Sequence, residues 1–214
     1  MSSVKRGYDS PRRRAQAAAT RRDILDAAQR LFEQHGYAPT TMAAIATEAS
    51  VALKTVYVAF ETKGGLLKAL WHLLLRGDEE DRPVGERPWY REVVEEPDPE
   101  RRILLTAHNS RRVKERAGAL LAVIRSAADG DPDIQALWSR IQADFYENQR
   151  GIVEPLHAAE ALKPELDVTR AADILWTLNH PDLWQLLVVE RGWTPEEWER
   201  WFAAQATSSL LRAA

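Results

Sequence analysis

The segment Leu53–Phe60 carries side chains that can form hydrogen bonds with the edges of base pairs. It offers the ammonium of Lys54 and the hydroxyls of Thr55 and Tyr57, and it holds no carboxylate. An ammonium donates to guanine O6 and N7, and a threonine hydroxyl bonds a base edge or a phosphate. The pattern favours contact with double-stranded DNA.

Neighbouring residues extend this predicted contact. Leu53 and Val58 can touch a thymine methyl. Thr41 and Lys63 begin two predicted helices, where backbone amides attract phosphate. Arginines near the N-terminus can add sequence-independent attraction, for example in a minor groove, although a solubilising tail explains the first three of them equally well. These are Arg12, Arg13, Arg14, Arg21 and Arg22.

Four predicted helices position these residues. The first carries apolar side chains at the spacing of one helix face and is followed by Gly36, a predicted left-handed C-cap. Thr40 is the predicted N-cap of the second helix, and Thr62 that of the fourth. Val56 and Phe60, four positions apart, are predicted to face the core. The predicted bounds are Arg14–His35, Thr41–Ala49, Leu53–Phe60 and Lys63–Arg76.

The chain is acidic overall but basic at its N-terminal end. Its net charge is −3, with 29 Lys/Arg and 32 Asp/Glu over 214 residues. The first 76 residues hold 12 Lys/Arg against 6 Asp/Glu, so the remainder holds 17 against 26. A basic front on an acidic body suits a protein that touches a polyanion with one end only.

Beyond residue 76 the chain is predicted to be a loop and then helical. Prolines, glycines and acids mark a surface loop to Pro99, interrupted by a short helix at Tyr90–Val94. No β alternation and no internal repeat occurs, so the predicted fold class is all-α. The later predicted helices are Pro99–Ser110, Val113–Ala128, Asp131–His157, Val168–Asn179, Pro181–Glu190 and Thr194–Arg212.

The composition excludes several chemistries. The chain has no cysteine, so disulfides, thiolate metal sites and cysteine nucleophiles are impossible. Its histidines lack metal-ligand spacing, and no phosphate loop or nucleophile elbow occurs. We therefore predict no catalytic residue, metal or cofactor, with a helical enzyme as the weaker alternative. No apolar run reaches membrane-spanning length and no secretion signal is visible, so a cytoplasmic protein without membrane contact is predicted.

The string AAQRLFEQHGYAPTTMAAIATEASVALKTVYVAFETKGGLLKAL resembles the DNA-binding domain of the tetracycline-repressor (TetR) family of transcriptional regulators. The similarity spans about Thr20–Leu75. It implies a basic arm at residues 1–13, a helix-turn-helix domain at 14–62, and a helical ligand-binding and dimerisation domain at 63–214. It also implies that Tyr57 bonds a phosphate through its hydroxyl. The residues that carry it include Phe32, Gly36, Tyr37, Thr40, Thr41, Ile45, Ala46, Ala49, Val51, Thr55, Tyr57, Phe60 and Lys63.

The sequence departs from the family pattern at three points. Ala52 stands where the turn usually offers serine, so the third helix lacks a capping hydroxyl at a cost of about 1 kcal/mol. Ala59 replaces the aromatic residue that usually precedes Phe60, which removes a backbone contact to DNA. Gly64 and Gly65 each weaken the start of the fourth helix by about 1 kcal/mol relative to alanine.

The last two or three helices are predicted to form a homodimer. Trp198, Trp201, Phe202, Leu210 and Leu211 provide bulk, and intervening alanines and serines allow close approach. Packing within one subunit is the alternative interpretation. A dimer reads two half-sites of a palindromic operator at a fixed spacing. A dimer of dimers, an activator and an unspecific architectural DNA-binding protein all remain open.

The C-terminal part is predicted to bind a small apolar or aromatic effector that releases the operator. Tryptophan and phenylalanine line such cavities, and polar side chains orient the ligand. Plain core packing is the alternative for each residue. The fourth predicted helix is the expected lever between ligand and DNA. The predicted ligand residues are Trp138, Ile141, Phe145, Trp176, His108, Asn148 and Asn179.

Overall fold

The computed structural model describes residues 11–76 and 84–212, which are mostly helical and contain no strand. The predicted all-α fold is confirmed. Leu162 and Leu211 form one isolated bridge. The helices are α1 Pro11–His35, α2 Met42–Glu48, α3 Leu53–Phe60, α4 Lys63–Arg76, α5 Pro88–Glu95, α6 Pro99–Ala128, α7 Pro132–Ala158, α8 Val168–Leu178, α9 Pro181–Trp184 and α10 Pro195–Leu210, with a 3₁₀ turn at Val84–Glu86 and a π-helical segment at Gln185–Glu190.

The described chain divides into two compact units after Leu70. We call residues 11–70 the N-terminal unit and residues 71–212 the C-terminal unit. The division falls within α4, whereas the sequence placed the domain boundary at Lys63. Residues 1–10 of the predicted arm lie outside the described residues. The helix begins at Pro11, so Arg12 and Arg13 are helical rather than part of an arm.

The N-terminal unit packs four helices around a small apolar core. Phe32 of α1, Ile45 of α2, Val56 of α3 and Leu66 of α4 are almost fully buried. The chain bends by 112° between α2 and α3, within the range of helix-turn-helix motifs. Since Val56 and Phe60 are both buried, the predicted inward face of α3 is confirmed.

The turn between α1 and α2 differs from the prediction by one residue. Gly36 has φ +79° and donates its N–H to the carbonyl of Phe32, as predicted for a C-cap. The N-cap of α2, however, is Thr41, whose hydroxyl accepts the N–H of Ala44. Thr40 is buried, and its hydroxyl donates to the carbonyl of Gly36 at 2.8 Å. Thr40 therefore fastens the end of α1 rather than the start of α2.

The C-terminal unit packs α6, α7, α8 and α10 around a large apolar core. Its α6 is one helix of 30 residues, so the break predicted between Ser110 and Val113 is wrong. The two arginines at that point are good helix formers, and Arg111 is fixed by ion pairs with Glu115, Glu196 and Glu199. No single helix among the described residues is both long and apolar enough to cross a bilayer.

Candidate functional site

The outer face of α3 is the candidate surface for reading DNA. Leu53, Tyr57 and Val58 are 42%, 48% and 76% exposed, and Lys54 is also exposed. Large apolar side chains are rarely left this open without a function. Thr55 is half-buried at the edge of this face. The face thus presents the five predicted side chains of α3, and their contact with DNA stays a prediction.

Both ends of α3 show how the helix is held. Its N-cap, Ala52, makes no side-chain hydrogen bond, as expected from the missing hydroxyl. At the other end, Arg21 Nη1 donates to the carbonyl of Ala59 at 2.7 Å, and its guanidinium lies 4.1 Å from the centre of the Phe60 ring. The sequence grouped Arg21 with the basic residues that add affinity for DNA. In the structure this side chain has a structural role, because it joins α1 to the end of α3.

We expect Ala52→Ser to stabilise α3, because the serine hydroxyl can accept an orphan N–H of the first turn. The gain of about 1 kcal/mol should slow hydrogen exchange of the α3 amides about fivefold. Ala52 is exposed, so the added oxygen meets no packing penalty. Ala52→Val is the matched control without an acceptor, and equal exchange in the two variants would contradict the capping argument.

Lys63, which was predicted to lie near a DNA phosphate, uses its ammonium in bonds within the N-terminal unit. Its ammonium donates to the carbonyls of Tyr37 at 2.9 Å and Thr40 at 3.1 Å, and it lies 4.0 Å from the centre of the Tyr37 ring. These bonds occupy the ammonium within the N-terminal unit. Lys63 therefore joins α4 to the loop after α1, while Thr41 remains exposed beside that loop.

Gly65 has a packing role that the sequence did not reveal. A Cβ at this position would lie 2.7 Å from the carbonyl oxygen of Phe60 and 3.2 Å from Thr62 Oγ1. The glycine permits the close approach between the end of α3 and the start of α4. Gly65 lowers the helix propensity of α4, but it permits a close contact that the Cβ of alanine would block.

The C-terminal unit encloses a cavity of about 400 Å³, large enough for a small organic molecule. The last turns of α4 and helices α5, α6 and α7 form its walls. Aromatic and aliphatic side chains form the apolar part, and amides, hydroxyls, carboxylates and one lysine belong to the polar part. The main lining residues are Trp71, His72, Trp89, Tyr90, Thr106, Asn109, Ser110, Val113, Lys114, Ile141, Phe145, Asn148, Gln149 and Asn179.

Four of the seven predicted ligand residues lie in this cavity: Ile141, Phe145, Asn148 and Asn179. The other three do not. Trp138 lies one turn before Ile141 and lines a second cavity of about 300 Å³. Trp176 lies 4.8 Å from the His180 ring, and His108 pairs with Glu199 at 3.4 Å. For His108 the helix phase explains the difference, because the next residue, Asn109, is the one that lines the cavity. Trp176 belongs to α8, and it is Asn179, just after that helix, that lines the cavity.

Tyr90 is a cavity residue that sequence reasoning missed. Its hydroxyl donates to the carbonyl of Asn148 at 2.8 Å. The hydroxyl also lies so close to Gly151 that a Cβ at that position would be only 2.6 Å from it. Burial, and then the charge of Glu154, raise the pKa of Tyr90 to about 12. The phenol therefore stays protonated at neutral pH. A glycine in the middle of the long α7 was the signal for this close contact.

Lys114 was also missed, and among the described residues it is the only lysine that lines the cavity. It is 8% exposed, and Nζ donates to Asn179 Oδ1 at 2.6 Å. The amide of Asn179 in turn donates to Ser110 Oγ at 2.9 Å and to Gln149 Oε1 at 3.1 Å. Burial lowers the pKa of Lys114 to about 7. The cavity therefore contains an amine that can be charged or neutral near physiological pH.

Comparison with known proteins agrees with this architecture. Residues 24–70 match the family model of bacterial regulatory proteins of the tetR family. The chain is 29% identical to the probable HTH-type transcriptional regulator ArpR of Pseudomonas putida over 174 residues, which cover 75% of this chain and 77% of that protein.

Two solved structures share the fold. NalD, the secondary repressor of the MexAB-OprM multidrug efflux pump in Pseudomonas aeruginosa, superposes with a TM-score of 0.71 at 20% identity, covering 94% of this chain and 100% of that one. The complex of SmeT of Stenotrophomonas maltophilia with triclosan gives 0.71 at 18% identity, covering 92% and 93%. At this identity, the likeness concerns the fold alone.

The N-terminal helix-turn-helix unit and the helical unit with a cavity agree with these comparisons. Together they support a transcriptional regulator of the TetR family, whose family model matches residues 24–70.

Proposed function

We propose that the protein is a ligand-responsive repressor that binds a palindromic operator as a homodimer and is released by a small apolar or aromatic effector. The observation that carries this proposal is that one unit has an exposed helix face and the other unit has a cavity. The N-terminal unit presents α3 with Lys54, Tyr57 and Val58 exposed, and the C-terminal unit holds an aromatic cavity of about 400 Å³.

The DNA contact that we propose places α3 in the major groove. Lys54 and Thr55 are in the first turn of the helix, where recognition helices meet base edges. Tyr57 then bonds a phosphate, and Val58 or Leu53 contacts a thymine methyl. Thr41 adds a contact at the edge of the motif, whereas Lys63 supports the fold around it.

The dimer surface that we propose differs from the one in the sequence interpretation. Trp198, Phe202, Leu210 and Leu211 are buried within the subunit and cannot provide it. The outward side of α10 instead carries small residues at Ala204 and Ser208, which permit close approach of a second helix. Exposed Leu186 and Val189 on the preceding π-helical segment add apolar area to the same late part of the chain.

Effector release follows from a difference in ligand affinity between two states of the dimer. The structure of SmeT with triclosan is a case of this fold with a small molecule bound, which supports a small-molecule effector. The continuous α4 supplies Leu67 to the N-terminal core and Trp71 to the cavity wall. We propose that α4 carries the coupling, because a ligand that displaces Trp71 acts on that helix directly.

Selection of bound duplexes from random DNA tests the proposal. We expect enriched sites with two-fold symmetric halves, spaced by about one helical turn or a multiple of it, each occupied by two chains. Competition against random DNA at fixed salt separates this from architectural binding, which predicts equal affinity for both. A selection without enriched sequence, or with one chain per site, would contradict the operator model.

The cavity makes a separate prediction. Phe145→Ala removes an aromatic wall, so we expect about tenfold more effector to be needed to release the operator, while effector-free DNA affinity stays unchanged. The effector is the member of a small-molecule panel that releases the wild-type protein. Trp176→Ala is the matched control, because it removes an aromatic ring of the same unit outside the cavity. Equal effects in both variants would place the ligand elsewhere.

A further inference from the structure

The cavity wall contains a positive group, the ammonium of Lys114, whose partners among the described residues are neutral. Lys114 Nζ meets the Asn179 carbonyl oxygen and lies 4.6 Å from the centre of the Trp198 ring. Among the described residues no carboxylate forms an ion pair with it, although Lys114 is almost fully buried. Removing an ammonium from water without a counter-charge is costly, so natural proteins seldom do it without a function.

Among the described residues, the elements around Lys114 bring no buried carboxylate to it. On α7, Gln149 is a neutral amide, and Asp144 and Glu147 line the cavity but are exposed to solvent. On α4, His72 lines the opposite wall. After α8, burial and then the charges of Arg125 and Lys114 lower the pKa of His180. This ring, neutral or positive, supplies no counter-charge to Lys114.

The remaining groups near Lys114 belong to α6 itself and to α10. Ser110, one turn before Lys114, is bonded by the Asn179 amide. Arg111 forms ion pairs with the nearby carboxylates Glu115, Glu196 and Glu199. Asn179 is held with its oxygen toward Nζ, because its amide nitrogen donates to two other side chains. Among the described residues, this network gives Lys114 a hydrogen bond but no counter-charge.

We propose that the effector carries a single carboxylate on an aromatic or apolar body, and that this carboxylate binds beside Lys114 Nζ. The proposal rests on the effector role of the cavity in the proposed function and names the chemical class of that effector. Trp71, Trp89 and Phe145 contact the body, and the volume of about 400 Å³ suits one or two fused rings.

The charge balance favours a monocarboxylate over other acids. One carboxylate neutralises the buried ammonium of Lys114, and the pair gains strength in the low-dielectric cavity because the hydrogen bond that Nζ donates to Asn179 Oδ1 already orients the ammonium. A second acidic group would face Asp144 and Glu147 at the solvent-exposed side of the cavity. Like charges in this position oppose binding.

The lowered pKa of Lys114 also predicts that binding of an acid takes up a proton. Because burial lowers its pKa to about 7, much of the free protein holds a neutral amine at about pH 8. A bound carboxylate stabilises the charged form, so binding takes up a proton from solvent. Carboxylic acids remain ionised throughout this range. The affinity for an acid therefore rises as the pH falls from about 8.5 to about 6.5, whereas the affinity for a neutral analogue does not follow this trend.

Three acid–amide pairs of equal shape test the proposal: benzoate and benzamide, 2-naphthoate and 2-naphthamide, and indole-3-acetate and indole-3-acetamide. Calorimetric titration of the full chain should show at least one acid bound about tenfold more tightly than its amide at about pH 6.5. The same titrations at about pH 8.5, in buffers of different ionisation heat, should show proton uptake for that acid only.

Lys114→Met should abolish the preference for the acid and the proton uptake. Lys163→Met is the matched control, since it removes one lysine of the same unit outside the cavity and should change neither. If Lys114→Met fails to fold, the wild-type comparison of acid and amide still decides. Equal affinity of every acid and its amide, absence of proton uptake, or no binding of any acid overturns the proposal.

Operator binding separates this inference from the proposed function. An acid that binds through Lys114 but leaves operator affinity unchanged supports the inference and contradicts effector release by that site. An operator complex released only by the amides supports effector release and overturns the inference. Release by the acid in the wild type, and its loss in Lys114→Met, supports both.

Discussion

Lys54→Ala is expected to lower the affinity for a selected operator by at least about tenfold while leaving the fold intact. A good contact between a side chain and a base edge is worth about 1–3 kcal/mol, and a dimer loses one such contact in each half-site. Lys54 is exposed in the first turn of α3, away from the buried Val56 and Phe60. Its truncation therefore removes a DNA contact without opening the core.

The measurement is fluorescence anisotropy of selected and random duplexes at one salt concentration. A base contact predicts a larger loss on the selected duplex, whereas a phosphate contact predicts equal losses on both. Lys68→Ala is the control, because Lys68 is an exposed lysine of the same unit on α4 rather than on α3. Unchanged operator affinity in Lys54→Ala would show that α3 is not the reading helix.

Local pattern was sufficient to predict the N-terminal unit but not the bonding of its cations. Helical spacing predicted that Val56 and Phe60 face inward, and Ala52 predicted the missing cap. Arg21 and Lys63, in contrast, bond backbone carbonyls that are 38 and 26 positions away in sequence. A charge is recognisable in the sequence, but the carbonyls that it meets depend on the packing of helices.

The cavity of the C-terminal unit shows the same limit of prediction from local sequence pattern. Ile141, Phe145 and Asn148 were predicted as ligand residues, and all three lie on the part of α7 that lines the cavity. The helical phase does not reveal which turn of a helix face meets the cavity, and Trp138, one turn earlier, lines the second cavity instead. Lys114 was missed because a lysine is by default exposed, and only the neighbouring helices bury it.

The second large effect is expected at Trp198, the centre of the C-terminal core. Its side chain is fully buried, stacks on Phe202 with 5.2 Å between ring centres, and meets Trp184 edge to face at 5.2 Å. Trp198→Ala should lower the free energy of unfolding by about 3–5 kcal/mol, because it removes a large apolar surface and leaves a void. It also removes the ring that lies beneath the Lys114 ammonium.

Urea unfolding followed by far-ultraviolet circular dichroism measures this loss, with two variants that isolate its cause. Trp201→Ala, at a half-buried position three residues on, should cost much less. Trp198→Phe should also cost less than alanine, because it keeps a ring in the stack and removes the buried Nε1–H, which has no hydrogen-bond partner among the described residues. If alanine at 198 and at 201 destabilise equally, the packed ring of Trp198 is not what holds α10 to the core. A phenylalanine variant as unstable as the alanine variant would instead show that the core requires the full indole shape.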